Sequence, residues 1–148
     1  MDHNNILPVV LAGGKSKRFG EDKSQIQLGS KILIDYILSE IINDFNEVII
    51  VANEPIKHLS SDKITKIEDD KKDLGPLGGV FSAMKWIKNN NKKYQWIVTF
   101  PTDTPFFKIS ILNEFFSKIN EKESELFFMK FNDKRHNIFG LWSMDLID

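Results

Sequence analysis

A three-layer α/β architecture, with a mainly parallel central sheet and helices on both of its faces, is what the chain's apolar pattern leads one to expect. Two observations carry this. Short apolar runs, several of them rich in Val and Ile, recur along the chain as buried strands require, and stretches with apolar residues at helical spacing stand between them. Strands and helices in alternation imply crossover connections, which set successive strands parallel and cover both sheet faces. The 148 residues suit a single domain, residues 1–148, since a chain of about this size hides roughly 68–70% of its unfolded surface.

Ile6-Leu7-Pro8-Val9-Val10-Leu11 reads as the first strand, running into Gly13-Gly14, with Pro8 an unusual guest in a central strand. Ile34, Ile37, Leu38, Ile41 and Ile42 outline a helix over 31–43, with Ser30 as its N-cap. Residues 48–52 make a second strand and residues 63–67 a shorter third. Leu77, Val80, Phe81, Met84 and Ile87 mark a second helix that opens after Gly75-Pro76, where proline is well tolerated. Residues 96–100 form a fourth strand stopped by Pro101, and Leu112, Phe115, Phe116 and Ile119 a third helical face capped by Ser110. Two last strands are expected over 126–131 and 138–142, separated by the turn-like Asn132-Asp133-Lys134-Arg135.

Composition narrows the function classes. A net charge of -1 and an isoelectric point near 6.3 give no global basic field, so no nucleic-acid partner is expected. The absence of Cys excludes disulfides, thiolate-bound metals and thiol catalysis, and is compatible with the reducing cytoplasm, the expected location. No stretch approaches the roughly 18 apolar residues of a membrane span, and no signal peptide or membrane association is expected. His3, His58 and His136 lack the spacing of a zinc site or a catalytic triad. Trp86, Trp96 and Trp142 are assigned to the core.

In a parallel sheet, ligands gather beyond the carboxyl ends of the strands. The polar clusters fall there: Gly13 to Lys23 after the first strand, Asn53 after the second, Glu68 to Gly75 after the third and Asp103 after the fourth. The segment LAGGKSKRFGEDKS, Leu11 to Ser24, combines two adjacent glycines with Lys15, Lys17, Arg18 and Lys23. Glycine lets backbone N–H groups approach phosphate oxygens closely, and the cations oppose their charge. Phe19 stands where a P-loop needs its second glycine, and the dinucleotide fingerprint is not met either. On residue chemistry alone the segment is either a polyphosphate loop or a basic surface hairpin. Asp103, framed by prolines in PTDTP, suits a hard cation such as Mg2+ shared with substrate phosphates, or a turn stabilised by its carboxylate. The run 68–73 is a solvated charge cluster unless its edge position gives it a role. Asn53 offers both donor and acceptor groups, or simply shapes a turn.

Taken in order, LAGGKSKRFGEDKS, VANEP, IEDDKKDLGPLGGV and PTDTPF closely resemble the molybdenum cofactor guanylyltransferase family, a branch of the Rossmann-like nucleotidyltransferases. The resemblance runs from about Ile6 to Trp142, and Phe19 replaces the family's usual Met with another apolar residue. It implies that Leu11, Ala12 and Gly13 contact the nucleotide through their backbone beside Gly14, that Asn53 and Asp69 contact GTP, and that Asp103 binds both GTP and Mg2+. Arg18, Lys23 and Asp103 would then be the catalytic residues, acting electrostatically. The implied reaction joins GMP from GTP to molybdopterin, releasing pyrophosphate. GTP and molybdopterin would be the partners, and the chain a monomer or weak homo-oligomer. The same residues leave open a cytidylyltransferase, a sugar-phosphate nucleotidyltransferase or a non-catalytic nucleotide-binding adaptor, although LAGG with GPLGG favours the guanine enzyme by resemblance. Family members generally continue beyond Trp142 with a helix-containing portion and an NTPE-like motif, so this chain is expected to be C-terminally short on the acceptor side.

Overall fold

The computed structural model describes residues 3–12, 25–70, 74–102, 107–119 and 124–148. In chain order the elements are β1 (Ile6–Leu11), β2 (Gln27–Leu28), β3 (Lys31–Ile32), α1 (Leu33–Ile41), β4 (Val48–Val51) and β5 (Ile64–Ile67). They continue with α2 (Pro76–Asn89), β6 (Trp96–Pro101), α3 (Ser110–Ile119), β7 (Leu126–Phe131), β8 (Lys134–Ser143) and a closing 3-10 turn, Met144–Ile147. Six strands form one sheet in the order β5-β4-β1-β6-β8-β7, while β2 and β3 pair separately as a small ribbon. From β5 to β6 every pairing is parallel. The β6–β8 and β7–β8 pairings are antiparallel, so the sheet is mainly parallel with an antiparallel margin.

Alternation along the strands sends side chains to two separate cores. On one face Ile6, Val10, Val48, Ile50, Val98 and Phe100 pack with Ile34, Ile37, Leu38 and Ile41 of α1 and Leu112, Phe115 and Phe116 of α3. On the other, Leu7, Val9, Ile49, Val51 and Ile97 pack with Val80, Ala83, Met84 and Ile87 of α2. Helices therefore cover both faces. Ile34, Ile37, Leu38 and Ile41 of α1 are fully buried, each stabilising the fold by about 1.5–3 kcal/mol relative to exposure.

Several boundaries differ from the sequence expectation, each for a local reason. The first helix starts at Leu33, and its N-cap position is Ile32 without a side-chain cap. Gly29 adopts φ 66, which turns the chain at Gly29-Ser30 and spends residues 31–32 on the ribbon. The Leu33 N–H instead donates to the Ile26 carbonyl at 2.9 Å, satisfying a donor that a Ser30 cap would have taken. Pro101 does not stop β6 but closes it, opposite Leu11. Pro8 is accommodated because the β1–β4 ladder begins only at Val9, so the missing N–H falls outside that pairing. The last hairpin turns on Asn132 (φ 48) and Asp133 (φ 64) alone, the signature of a two-residue primed turn, so Lys134 and Arg135 belong to β8. Leu77, expected on the buried face of α2, is 58% exposed, and Ser82 is buried there instead. Trp142 is buried, whereas Trp86 and Trp96 are half-buried against the second and first core, respectively.

Candidate active site

The strand order makes β1 the point where the winding reverses. After β1 the chain moves outward through β4 and β5, then returns through α2 to place β6 on the other side of β1. A crevice opens beyond the carboxyl ends of strands at such a reversal. Here that edge sets Leu11 opposite Pro101. It extends one residue past the strands, since Ala12 N–H donates to Val51 O at 2.9 Å and Ala52 N–H to Ile67 O at 3.0 Å. The ends of β1, β4 and β5 are thus tied into one platform.

Helix α2 closes the rear of this edge at close range. A Cβ on Gly79 would lie 2.8 Å from Leu11 Cδ2 and 3.5 Å from Val51 Cγ1, so glycine lets the first turn of α2 settle against the platform. Gly75, at the N-cap position with φ 58, takes the left-handed backbone that glycine adopts at little cost. Pro76 follows as the first helical residue, where its missing N–H costs nothing. The positive end of the α2 dipole therefore faces the crevice edge.

Asn53 and Asp69, separated in sequence, are brought into contact. Asp69 N–H donates to Asn53 Oδ1 at 2.8 Å. Because the partner is an N–H, the amide orientation is settled: the Asn53 oxygen serves the fold, and its Nδ2 is the group directed elsewhere. Asp70 N–H donates to Ser82 Oγ at 3.2 Å, and Ser82 Oγ donates to Asp69 Oδ1 at 3.4 Å. Asp69 is 7% exposed, so its carboxylate is a largely desolvated acceptor held just beyond the ends of β4 and β5. Lys85 reaches Asp70 Oδ2 at 3.3 Å, an exposed pair worth about 0–1 kcal/mol. On the opposite side the Gln25 amide clamps the Lys57 backbone, donating to its carbonyl at 2.9 Å and accepting its N–H at 2.8 Å. This joins the segment leaving the glycine-rich region to the one that follows Asn53.

Of the residues expected from sequence, Leu11 and Ala12 end β1 at the platform, and Asn53 and Asp69 meet beside it. Gly13, Gly14, Arg18, Lys23 and Asp103 lie outside the described residues. Ser82 was missed. Its signal was a hydroxyl set among Gly79, Val80 and Ala83 on the buried face of α2. Among the described residues no group of three or more His, Cys, Asp or Glu could hold a metal ion. Asp69 and Asp70 are oxygen donors of the type that suits Mg2+ at this edge. No helix among the described residues is long and apolar enough to cross a membrane.

Solved structures share this architecture. Molybdopterin-guanine dinucleotide biosynthesis protein A from Archaeoglobus fulgidus superposes with a TM-score of 0.70 at 18% identity, over 95% of this chain and 69% of that one. A 2-C-methyl-D-erythritol 4-phosphate cytidylyltransferase from Francisella tularensis gives 0.65 at 15% identity, over 95% and 73% of the two chains. The fold is that of the Rossmann-like nucleotidyltransferases. Within that class the MobA-like NTP transferase domain matches residues 8–148, and the chain belongs to that family. It is 29% identical over 147 residues to a probable molybdenum cofactor guanylyltransferase of Halalkalibacterium halodurans, covering 96% of this chain and 72% of that protein. It is also 29% identical over 143 residues to a molybdenum cofactor guanylyltransferase of Haemophilus influenzae, covering 95% and 72%.

Proposed function

We propose that the chain transfers GMP from GTP to molybdopterin, forming the guanine dinucleotide cofactor and pyrophosphate with the help of Mg2+. The observation that carries the proposal is the platform at the β1 reversal, where Leu11, Ala12, Asn53 and the preset Asp69 converge. The relatives named as molybdenum cofactor guanylyltransferases support the choice of donor and acceptor.

In this reading an oxygen of the molybdopterin phosphate attacks the α-phosphorus of GTP, and the bond to the β-phosphate bridging oxygen breaks, releasing pyrophosphate. Such a displacement asks the protein for alignment and charge stabilisation, with no covalent participation. The backbone at Leu11, Ala12, Gly13 and Gly14 approaches the nucleotide, Asn53 and Asp69 orient it, and Arg18 and Lys23 balance phosphate charge. Asp103, which follows the β6 end in sequence, would hold Mg2+, whose contribution when bound is to neutralise charge on the phosphates. We place the reaction in the cytoplasm, with which a cysteine-free chain is compatible.

Incubation of the purified chain with GTP, Mg2+ and molybdopterin tests this reading. Pyrophosphate and a guanine dinucleotide are expected in equal amounts, with CTP a poor substitute. Pyrophosphate release with CTP but not GTP would reassign the donor, and release with neither would refute the activity. Lys23→Ala should weaken GTP binding about 10–100-fold, the scale of a lost charge-assisted phosphate contact, as read by calorimetry.

A further inference from the structure

We infer that Ser82 is a positioning residue for nucleotide recognition, its buried hydroxyl setting the Asp69–Asp70 turn so that Asp69 presents its carboxylate to the bound nucleoside triphosphate. The inference rests on the reading above in which Asp69 contacts GTP.

A serine inside a helix ordinarily turns its hydroxyl to solvent or back to the carbonyl four residues earlier. Ser82 instead serves a neighbouring segment. It is 5% exposed on the sheet-facing side of α2, and its oxygen accepts the Asp70 N–H at 3.2 Å from a different element. The preceding N–H, that of Asp69, is accepted at 2.8 Å by Asn53 from the end of β4. Two consecutive peptide N–H groups are therefore held by different elements, one by Asn53 after β4 and one by α2. The Cα of Asp69 lies between those peptides, so the direction of its side chain is fixed by both. The Ser82 proton is aimed at Asp69 Oδ1, at 3.4 Å. That contact is long for a hydroxyl and a carboxylate, so the anchor to Asp70 N–H carries most of the effect. A carboxylate held in place before the ligand arrives loses less conformational freedom on binding, which appears as affinity.

Alanine at position 82 keeps the helix, because Ala is the best helix former, but strands the buried Asp70 N–H and frees the turn. Calorimetric titration of the full chain with GTP and Mg2+ should show the dissociation constant of Ser82→Ala raised about tenfold, within the range expected for one stranded buried donor. Turnover at saturating GTP should stay close to that of the unaltered chain, since the loss is in binding. Ser82→Thr retains the hydroxyl and should restore the affinity. In an Asp69→Ala background, Ser82→Ala should add no further loss, because it acts through Asp69. If Ser82→Ala does not fold, Ser82→Cys conserves volume with a weaker hydrogen-bonding group and should show the same loss.

Unchanged GTP affinity in a folded Ser82→Ala chain, or losses that add independently to those of Asp69→Ala, would overturn the inference. An Asp69→Ala chain that binds GTP as tightly as the unaltered one would instead overturn the role assigned to Asp69, and the Ser82 inference with it. Loss in Asp69→Ala with no loss in Ser82→Ala leaves the nucleotide site standing and removes only Ser82.

Discussion

Replacing Thr99 by Val exchanges one hydroxyl for a methyl in a site with no exposure to solvent. The Thr99 Oγ1 accepts from Gly140 N–H at 3.1 Å and from Trp142 Nε1 at 3.0 Å, and donates to the Ile138 carbonyl at 2.6 Å. These bonds gather the backbone of β8 where it leaves regular pairing. The β6–β8 ladder ends at Thr99 opposite Gly140, and the β7–β8 register shifts between Phe128 and Met129. Bulges of this kind bend a strand and recur beside active sites. Here the bend carries β8 away from the last residues of β6, next to the proposed crevice. Valine nearly conserves volume, so the cost is the loss of hydrogen bonds, with two buried donors and one carbonyl losing their partner. Stranding the two donors should cost about 2–4 kcal/mol in total, allowing for partial relaxation. For a chain of this size that lowers Tm by roughly 5–15 °C. Urea unfolding followed by tryptophan fluorescence reads it directly, with an unchanged m value as the sign that only stability moved. A loss below about 0.5 kcal/mol, the range of an unremarkable surface substitution, would refute the role given to Thr99.

Gly140→Ala should also destabilise, by about 1–3 kcal/mol of overpacking. Its Cβ would meet Trp142 Nε1 at 2.9 Å, Phe128 Cδ1 at 3.1 Å and the Phe127 carbonyl at 3.2 Å, and thermal melting is the check. At the other end of the sheet Tyr94 donates to Glu47 Oε2 at 2.8 Å, and burial first, then the hydrogen bond and charge of Glu47, pushes the phenol above its ordinary range. The folded state thus keeps this proton after the unfolded state begins to lose it, near pH 10. The Tyr94 contribution is full below that point and is lost as pH rises through the higher folded value. Tyr94→Phe should flatten the stability loss above about pH 10, measured by urea unfolding from pH 9 upward. Asp103→Ala should reduce pyrophosphate release at least about a hundredfold, the scale of a removed electrostatic group. The melting temperature, followed in parallel, should hold.

The sheet was legible in the sequence where physics is local. Ile6 to Leu11, Val48 to Val51 and Trp96 to Phe100 could be read because buried parallel strands need nearly unbroken apolar runs. The edge proposed to hold the nucleotide followed from alternation alone. Less legible was whatever depends on distant partners. The start of α1 was misplaced because Ser30 looks like a cap, while the pairing of Lys31–Ile32 with Gln27–Leu28 is decided by the turn at Gly29. The exposure of Leu77 reflects its place on the first turn of α2, which helical spacing alone does not distinguish from the buried face. At the site, Asn53 and Asp69 were both named, but the bond between them joins two loops and left no mark in either. Ser82 was passed over because a hydroxyl on an apolar face has many explanations until its partners are seen.

The central claim is that the nucleotide lies across the carboxyl ends of β1 and β6, beside Asn53 and Asp69. A crystal structure of the chain with GTP and Mg2+ tests it most directly. The triphosphate is expected over the Leu11–Ala12 platform, with Asp69 in contact with the nucleotide and Mg2+ between the phosphates and Asp103. GTP bound at another surface, or bound here with Asp69 and Asp103 out of reach, would contradict it.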